Sequence, residues 1–266
     1  TESEGRWGIE YGGHYFFAMG TFNLYSTNYG NVAEGYSNIV GEELLNNVKS
    51  ACNNAKNALT QSEVDSAEAE LTTQIAALSA ALKYTLNVTE AGYATMYLAH
   101  NAIIPDFENG NENGVYIVKS AINGWAQMEK VTGILPANTG VVVKGKGNYK
   151  FVYTQENATA NVEGNLLEGT VTSEPVEGEA YVLANGANGI GMYKAELNMD
   201  AEGNNVGKDN GTYFLNNANK AYLPARLVSG ASLSASLRFD FGGTTAIEEV
   251  ETEVAGTVIY DLAGRR

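Results

Sequence analysis

With 266 residues, 28.3 kDa and 31 acidic against 16 basic side chains, the chain carries a formal charge of -15 at pH 7. Nucleic acids attract clustered Lys and Arg, and no basic run exists here, so a nucleic-acid partner is not expected. The apolar stretches, such as Val141-Val142-Val143, fall far short of the ~18 residues that suggest a bilayer span, so no membrane span is expected either.

The chain opens at Thr1 with neither a basic nor an apolar leader region, so a signal peptide is expected to have been removed or to lie upstream. Residues 5–29 mix aromatic and β-branched side chains with Gly-Gly and Met-Gly, which predicts short strands. We read residues 1–35 as the tail of a preceding β domain or as strands docked onto the fold, because so short a segment cannot build its own core.

From Ile39 the period changes. Leu44, Val48, Cys52, Ala55 and Leu59 recur at helical spacing, and Ser62 with Asp65 has the form of a capping box opening a second helix. Val64, Ala67, Leu71, Ile75, Leu78 and Leu82 then form a seam against a partner helix. Residues 36–86 are therefore expected to fold as an antiparallel helical hairpin, with Cys52 as a small core residue rather than a reactive thiol.

Strand patterns follow at Tyr84, Tyr93, Val115, Gly140 and Tyr149, separated by Gly and Asn clusters suited to tight turns. Many short strands without interleaved helices predict an antiparallel β-sandwich over residues 87–241. The fold class is mainly β with an α-helical hairpin. Two pseudo-repeated β motifs are visible: Tyr116-Ile-Val, Asn123-Gly124 and Ala137-Asn-Thr-Gly recur as Tyr181-Val-Leu, Asn188-Gly189 and Ala218-Asn-Lys-Ala. A polar insertion from Leu197 to Gly211 lengthens the second. Residues 242–266 read as an acidic linker and the start of another, truncated β domain.

No catalytic residues are assigned. His14 and His100 are the sole imidazoles and neither adjoins a nucleophile motif such as Gly-x-Ser-x-Gly. Trp125, directly after the Asn123-Gly124 turn, can present an aromatic face on which a sugar ring stacks, with Asn123 offering an amide to its hydroxyls. Trp7 is a second such candidate; packing inside the fold is the alternative for both. Asn198, Asp200, Glu202 and Asp209 occupy positions one, three, five and twelve of a loop with Gly203 at six, which resembles a calcium loop. Calcium is thus the one cofactor for which the residues argue, against a plain solvated hairpin loop.

Gly92-Tyr-Ala-Thr-Met-Tyr-Leu, Ile134-Leu-Pro-Ala-Asn-Thr-Gly-Val-Val-Val-Lys-Gly and Lys220-Ala-Tyr-Leu-Pro-Ala resemble a β module found near the C-termini of large exported proteins of Bacteroidetes. Thr244-Thr-Ala-Ile-Glu-Glu-Val with Val258-Ile-Tyr-Asp-Leu-Ala-Gly-Arg-Arg resembles the start of the sorting domain associated with type IX secretion, without its remaining strands and terminal lysines. The helical pair is similar to FIVAR-type modules of surface proteins. These resemblances imply an extracellular or outer-membrane surface location and a non-catalytic accessory role. The region would support an upstream domain of the same polypeptide, or bind a glycan or host protein for it. The alternatives are a structural stalk or adhesin segment without a small ligand, and a carboxylate-dependent glycoside hydrolase.

Overall fold

The computed structural model describes residues 2–3, 6–7, 9–11, 14–16, 37–108, 112–230 and 235–242. The fold is mainly β with an α-helical hairpin, as expected. Near the N-terminus lie two small antiparallel pairs: β1 (Glu2–Ser3) with β2 (Arg6–Trp7), and β3 (Ile9–Tyr11) with β4 (His14–Phe16). Residues 243–266, where the linker and sorting-type strands are expected, lie outside the described residues.

Helix α1 spans Glu42–Asn57 and α2 spans Gln61–Ala81. The buried face of α1 is Leu45, Val48 and Ala51, flanked by half-buried Leu44, Cys52 and Ala55. Burial pushes the Cys52 thiol up from its ordinary value, away from thiolate reactivity. Leu59 departs from the expected stripe: it falls in the link between the helices and is 92% exposed. The capping box is also displaced from the expected Ser62–Asp65. Thr60 has the extended backbone of an N-cap, at φ -114° and ψ 157°, so its hydroxyl accepts from the Glu63 amide while Glu63 accepts from the Thr60 amide. Ser62 already lies inside the first turn, where its carbonyl accepts from the Ser66 hydroxyl. Among the described residues no helix is long and apolar enough to cross a membrane.

Fifteen further strands follow. The first repeat comprises β5 (Lys83–Val88), β6 (Tyr93–Tyr97), β7 (Ala102–Ile103), β8 (Gly114–Ile122), β9 (Trp125–Val131), β10 (Ile134–Leu135), β11 (Gly140–Lys144) and β12 (Gly147–Tyr153). The second comprises β13 (Glu168–Thr170), β14 (Glu174–Glu177), β15 (Ala180–Gly186), β16 (Gly189–Lys194), β17 (Tyr213–Asn216) and β18 (Lys220–Pro224); a short 3-10 turn at Ala225–Leu227 then leads towards β19 (Ser236–Asp240). One nine-stranded sheet runs β13-β18-β15-β16-β19-β9-β8-β11-β6. Read inward from its two ends, the order is the same in each half: β13-β18-β15-β16 matches β6-β11-β8-β9. The pairs β7–β10 and β14–β17 also correspond, each lying off the main sheet. Asn138 and Asn219, both left-handed at φ 56° and 57°, lead into the equivalent strands β11 and β18. The short sequence repeat thus marks two copies of one supersecondary unit.

This symmetry accounts for the one parallel ladder among the described strands, beside which Ile122 and Ser229 form a single parallel bridge. Strands β9 and β16 are equivalent and run in opposite directions, so any strand inserted between them must be parallel to one. Strand β19 pairs antiparallel with β16, through Met192↔Leu237, and parallel with β9, through Arg238↔Trp125 and Asp240↔Gln127. Gly191 permits the approach, because a Cβ there would lie 2.5 Å from the Leu237 carbonyl oxygen. The outer ends of the sheet curl towards each other. The Tyr97 amide donates to the Asn219 carbonyl at 3.1 Å, and the Asn219 side-chain amide donates back to the Tyr97 carbonyl at 3.0 Å. The nine-stranded sheet is nearly closed.

Both faces of this sheet are buried along β6, β11 and the first half of β8, which explains why Val141, Val142 and Val143 are all apolar. Val115, Ile117, Val141 and Val143 pack outward against Leu86, Val88, Tyr149 and Phe151 of a four-stranded sheet, β10-β7-β12-β5. Tyr116, Val118 and Val142 alternate inward and meet Tyr181, Met192, Leu223 and Leu237 from the other half and from β19. A smaller cluster of Ala180, Phe214 and Tyr222 lies beneath the β14–β17 pair. Each such side chain, fully buried, contributes about 1.5–3 kcal/mol. The core shared by the two repeats is the centre of the fold.

Candidate functional site

Ile122 pairs with Trp125, leaving Asn123 and Gly124 as a two-residue hairpin loop. Their φ values of 50° and 83° give the type I′ geometry for which Asn-Gly is suited. The loop is pinned from both sides: the Asn123 amide donates to the Ser229 carbonyl at 3.2 Å, and the Gly124 carbonyl accepts from the Arg238 amide at 2.8 Å. Trp125 begins β9 and remains 47% exposed, so it is presented to solvent rather than packed between the sheets. Opposite it on β19, the Arg238 guanidinium carbon lies 5.7 Å from the indole centroid, a cation–π contact that holds a flexible side chain beside the ring.

The equivalent hairpin of the second repeat reaches the same place. There Gly186 pairs with Gly189, and Asn188 sits in the turn. The Asn188 amide donates to the Tyr193 hydroxyl at 3.0 Å, which itself donates to the Gly189 carbonyl at 2.7 Å. The Asn188 side-chain amide donates to the Ser236 hydroxyl at 3.1 Å. Insertion of β19 between the repeats therefore brings the two asparagine turns to one recess. It has a volume of about 320 Å³ and is lined by Asn123, Gly124, Trp125, Asn188, Ala235, Ser236 and Arg238. An aromatic face, two carboxamides, a hydroxyl and a guanidinium can together stack on and hydrogen-bond a polyhydroxylated ring.

Trp125 and Asn123 are thus brought together in one recess, and Asn188, Ser236 and Arg238, which are not among the candidates read from the sequence, join them there. The recurrence of Asn-Gly at 123–124 and 188–189 is the signal that points to Asn188. Nothing local marks Arg238, since its role depends on where β19 inserts. Trp7 lies in β2, and its side chain is outside the described residues.

Among the calcium candidates, the Asp200 carboxylate turns back on its own loop. It accepts from the Asn204 amide at 2.8 Å, from the Glu202 amide at 3.1 Å and from the Asn204 side chain at 3.0 Å. The Asn204 side chain and amide hold the Asp200 carboxyl below its ordinary value. Asn198 contributes backbone bonds, donating to the Tyr213 carbonyl and accepting from the Val206 amide. Glu202 and Asp209 occupy the same exposed loop without hydrogen-bonding to Asp200 through their carboxylates. Among the described residues, no three His, Cys, Asp or Glu side chains converge where a metal ion could be held.

His100 packs edge-on against Tyr153 at 5.3 Å, and partial burial lowers its imidazole from the ordinary value. In comparisons with known proteins, no family model matches the chain, and no curated protein or solved structure matches it significantly.

Proposed function

We propose that this chain is a non-catalytic accessory region of an exported bacterial surface protein, and that its Trp125 recess binds a glycan on behalf of a larger polypeptide. The observation that carries this reading is the half-exposed indole at a rigid hairpin turn, surrounded by amide, hydroxyl and guanidinium donors. Aromatic faces match the apolar face of a sugar ring, and fixed polar groups around them discriminate its hydroxyls. The sequence resemblance to modules of exported Bacteroidetes proteins supports the extracellular setting. The reading assigns chemistry to other domains of the same polypeptide and leaves this one to hold and position.

Affinity electrophoresis through gels containing soluble polysaccharides tests the reading. The parent protein is expected to be retarded by at least one polysaccharide, and Trp125→Ala to migrate as in a blank gel while its thermal melt is unchanged. Retardation of the parent by none of them, or equal retardation of both proteins, would overturn it. A host protein as partner is the outcome that would then need a pull-down.

A further inference from the structure

We infer that the recess takes an acidic sugar, one bearing a carboxylate or sulfate on its ring, and that Arg238 is the residue selecting it. This rests on the glycan reading and adds the substrate class. Among the described residues the lining contains one charge, and it is positive: Asn123, Gly124, Trp125, Asn188, Ala235 and Ser236 are neutral, and no described Asp or Glu lines it.

Five other cations, at Lys119, Lys144, Lys146, Lys194 and Arg226, are paired with glutamates at Glu129, Glu112, Glu90, Glu179 and Glu168. Among the described residues no carboxylate pairs with Arg238. Asp240, the nearest acid along β19, has its Oδ1 accepting from the Gly242 amide at 2.9 Å. The β19 ladder places the Arg238 backbone opposite Trp125, and the ring, 5.7 Å from the guanidinium carbon, favours a side-chain position beside the recess, where its planar fork can make two parallel hydrogen bonds to an oxyanion. Asn123, and the hydrogen-bonding capacity left to Asn188 and Ser236 beyond their mutual bond, remain as partners for neutral hydroxyls. The volume of about 320 Å³ is at the low end for ligand sites, which suits one ring of a polymer rather than a long segment.

The net charge opposes a polyanion at long range, but at about 0.15 M salt the screening length is about 8 Å, so contact with Arg238 persists while the distant repulsion fades. Binding is therefore to be measured by titration calorimetry at that ionic strength. The probes are oligogalacturonate, a sulfated galactan oligomer and the neutral galactan oligomer of equal length. At least one acidic oligomer is expected to bind roughly tenfold more tightly than the neutral one. Arg238→Gln is expected to abolish that preference, Arg238→Lys to retain part of it, and Trp125→Ala to abolish binding of all three.

The two acidic probes distinguish carboxylate from sulfate. Equal affinity for acidic and neutral oligomers in the parent would overturn the acidic-sugar inference while leaving the glycan reading standing. An acidic preference that survives Arg238→Gln would overturn the role of Arg238. Absence of binding to every oligomer, together with no retardation on any polysaccharide gel, would overturn both. The preference of the parent decides the substrate class even if a variant fails to fold, and Arg238→Lys, which keeps the charge without the planar fork, then decides the role of Arg238: an undiminished preference would overturn it.

Discussion

Replacing Gly191 by alanine should unseat β19. The new Cβ would lie 2.5 Å from the Leu237 carbonyl oxygen, a backbone atom that cannot rotate aside. Gly191 does not have a positive φ, so the cost is steric and not conformational. Relief requires β19 to lift from β16, which weakens the Met192↔Leu237 and Tyr193↔Ser236 pairs and draws Leu237 out of the shared core. Exposing a buried Leu costs about 1.5–3 kcal/mol, and two ladder hydrogen bonds add about 1 kcal/mol each. The total is about 3.5–5 kcal/mol. At a urea m-value of about 3 kcal/mol/M, the unfolding midpoint falls by about 1.2–1.7 M. Urea unfolding followed by circular dichroism reads the midpoint, and amide exchange reads the protection of β19. Gly189→Ala is the control: its φ is 80° with no atom within 4 Å of the added Cβ, so it carries only left-handed strain of about 1–2 kcal/mol. A midpoint for Gly191→Ala no lower than that of Gly189→Ala, with Leu237 still protected, would refute β19 as the element joining the repeats.

Four other outcomes are expected. Burial, then the neighbouring Glu168 carboxylate, pushes the Tyr222 phenol up to about 12. The folded state thus holds this proton more tightly than the unfolded chain, so the contribution is complete below about pH 10 and is lost as pH rises towards about 12. Tyr222→Phe should flatten that part of the stability profile, as read by melting temperature; an unchanged slope would count against the assignment. Glu63 is held below the ordinary carboxylate range by the Leu59 and Thr60 amides. Its support of α2 is therefore present above the ordinary carboxylate value and disappears as pH falls through the lowered one, which amide exchange at the start of α2 should follow. Thr60→Ala should cost about 1 kcal/mol and loosen the same turn, while Ser62→Ala should leave its exchange unchanged. Finally, Asn219→Ala should destabilise more than Asn138→Ala in urea unfolding: both lose a residue tolerant of positive φ, but the Asn219 side chain also donates to the Tyr97 carbonyl where the sheet closes. Equal effects would argue against that contact.

The elements most legible in the sequence are those governed by short-range periodicity and turn chemistry. Val48 and Ala67 mark helix faces, and Asn123-Gly124 marks a turn whose preceding strand is expected from Val115, whereas β9, which opens at Trp125, is absent from the strand pattern read from the sequence. Errors arise where neighbouring residues compete for one role. Thr60 and Ser62 both open a plausible capping box, and the backbone entering the helix decides between them. Asp200 has the spacing of a calcium ligand, yet Asn204 lies near enough in the turn to satisfy both carboxylate oxygens. The site itself is only half legible. Trp125 and Asn123 are adjacent in sequence, but Arg238 reaches them through pairing of strands far apart in the chain, and no local pattern encodes which gap β19 fills.

The two repeats are unequal in what they can bury alone, and this sets an order of assembly. By Tyr153 the chain contains β5 to β12, with a four-stranded sheet already covering one face of the first half of the main sheet. The second repeat has only the β14–β17 pair over its outer face, and the inner faces of both repeats are covered only when the two meet. A chain that folds from its N-terminus would hold the first repeat as a template, dock the second onto it, and receive β19 last. A break before Ser236 would consequently not fray an edge of the molecule. It would part the sheet along its midline and, in the same event, dismantle the recess that β19 lines.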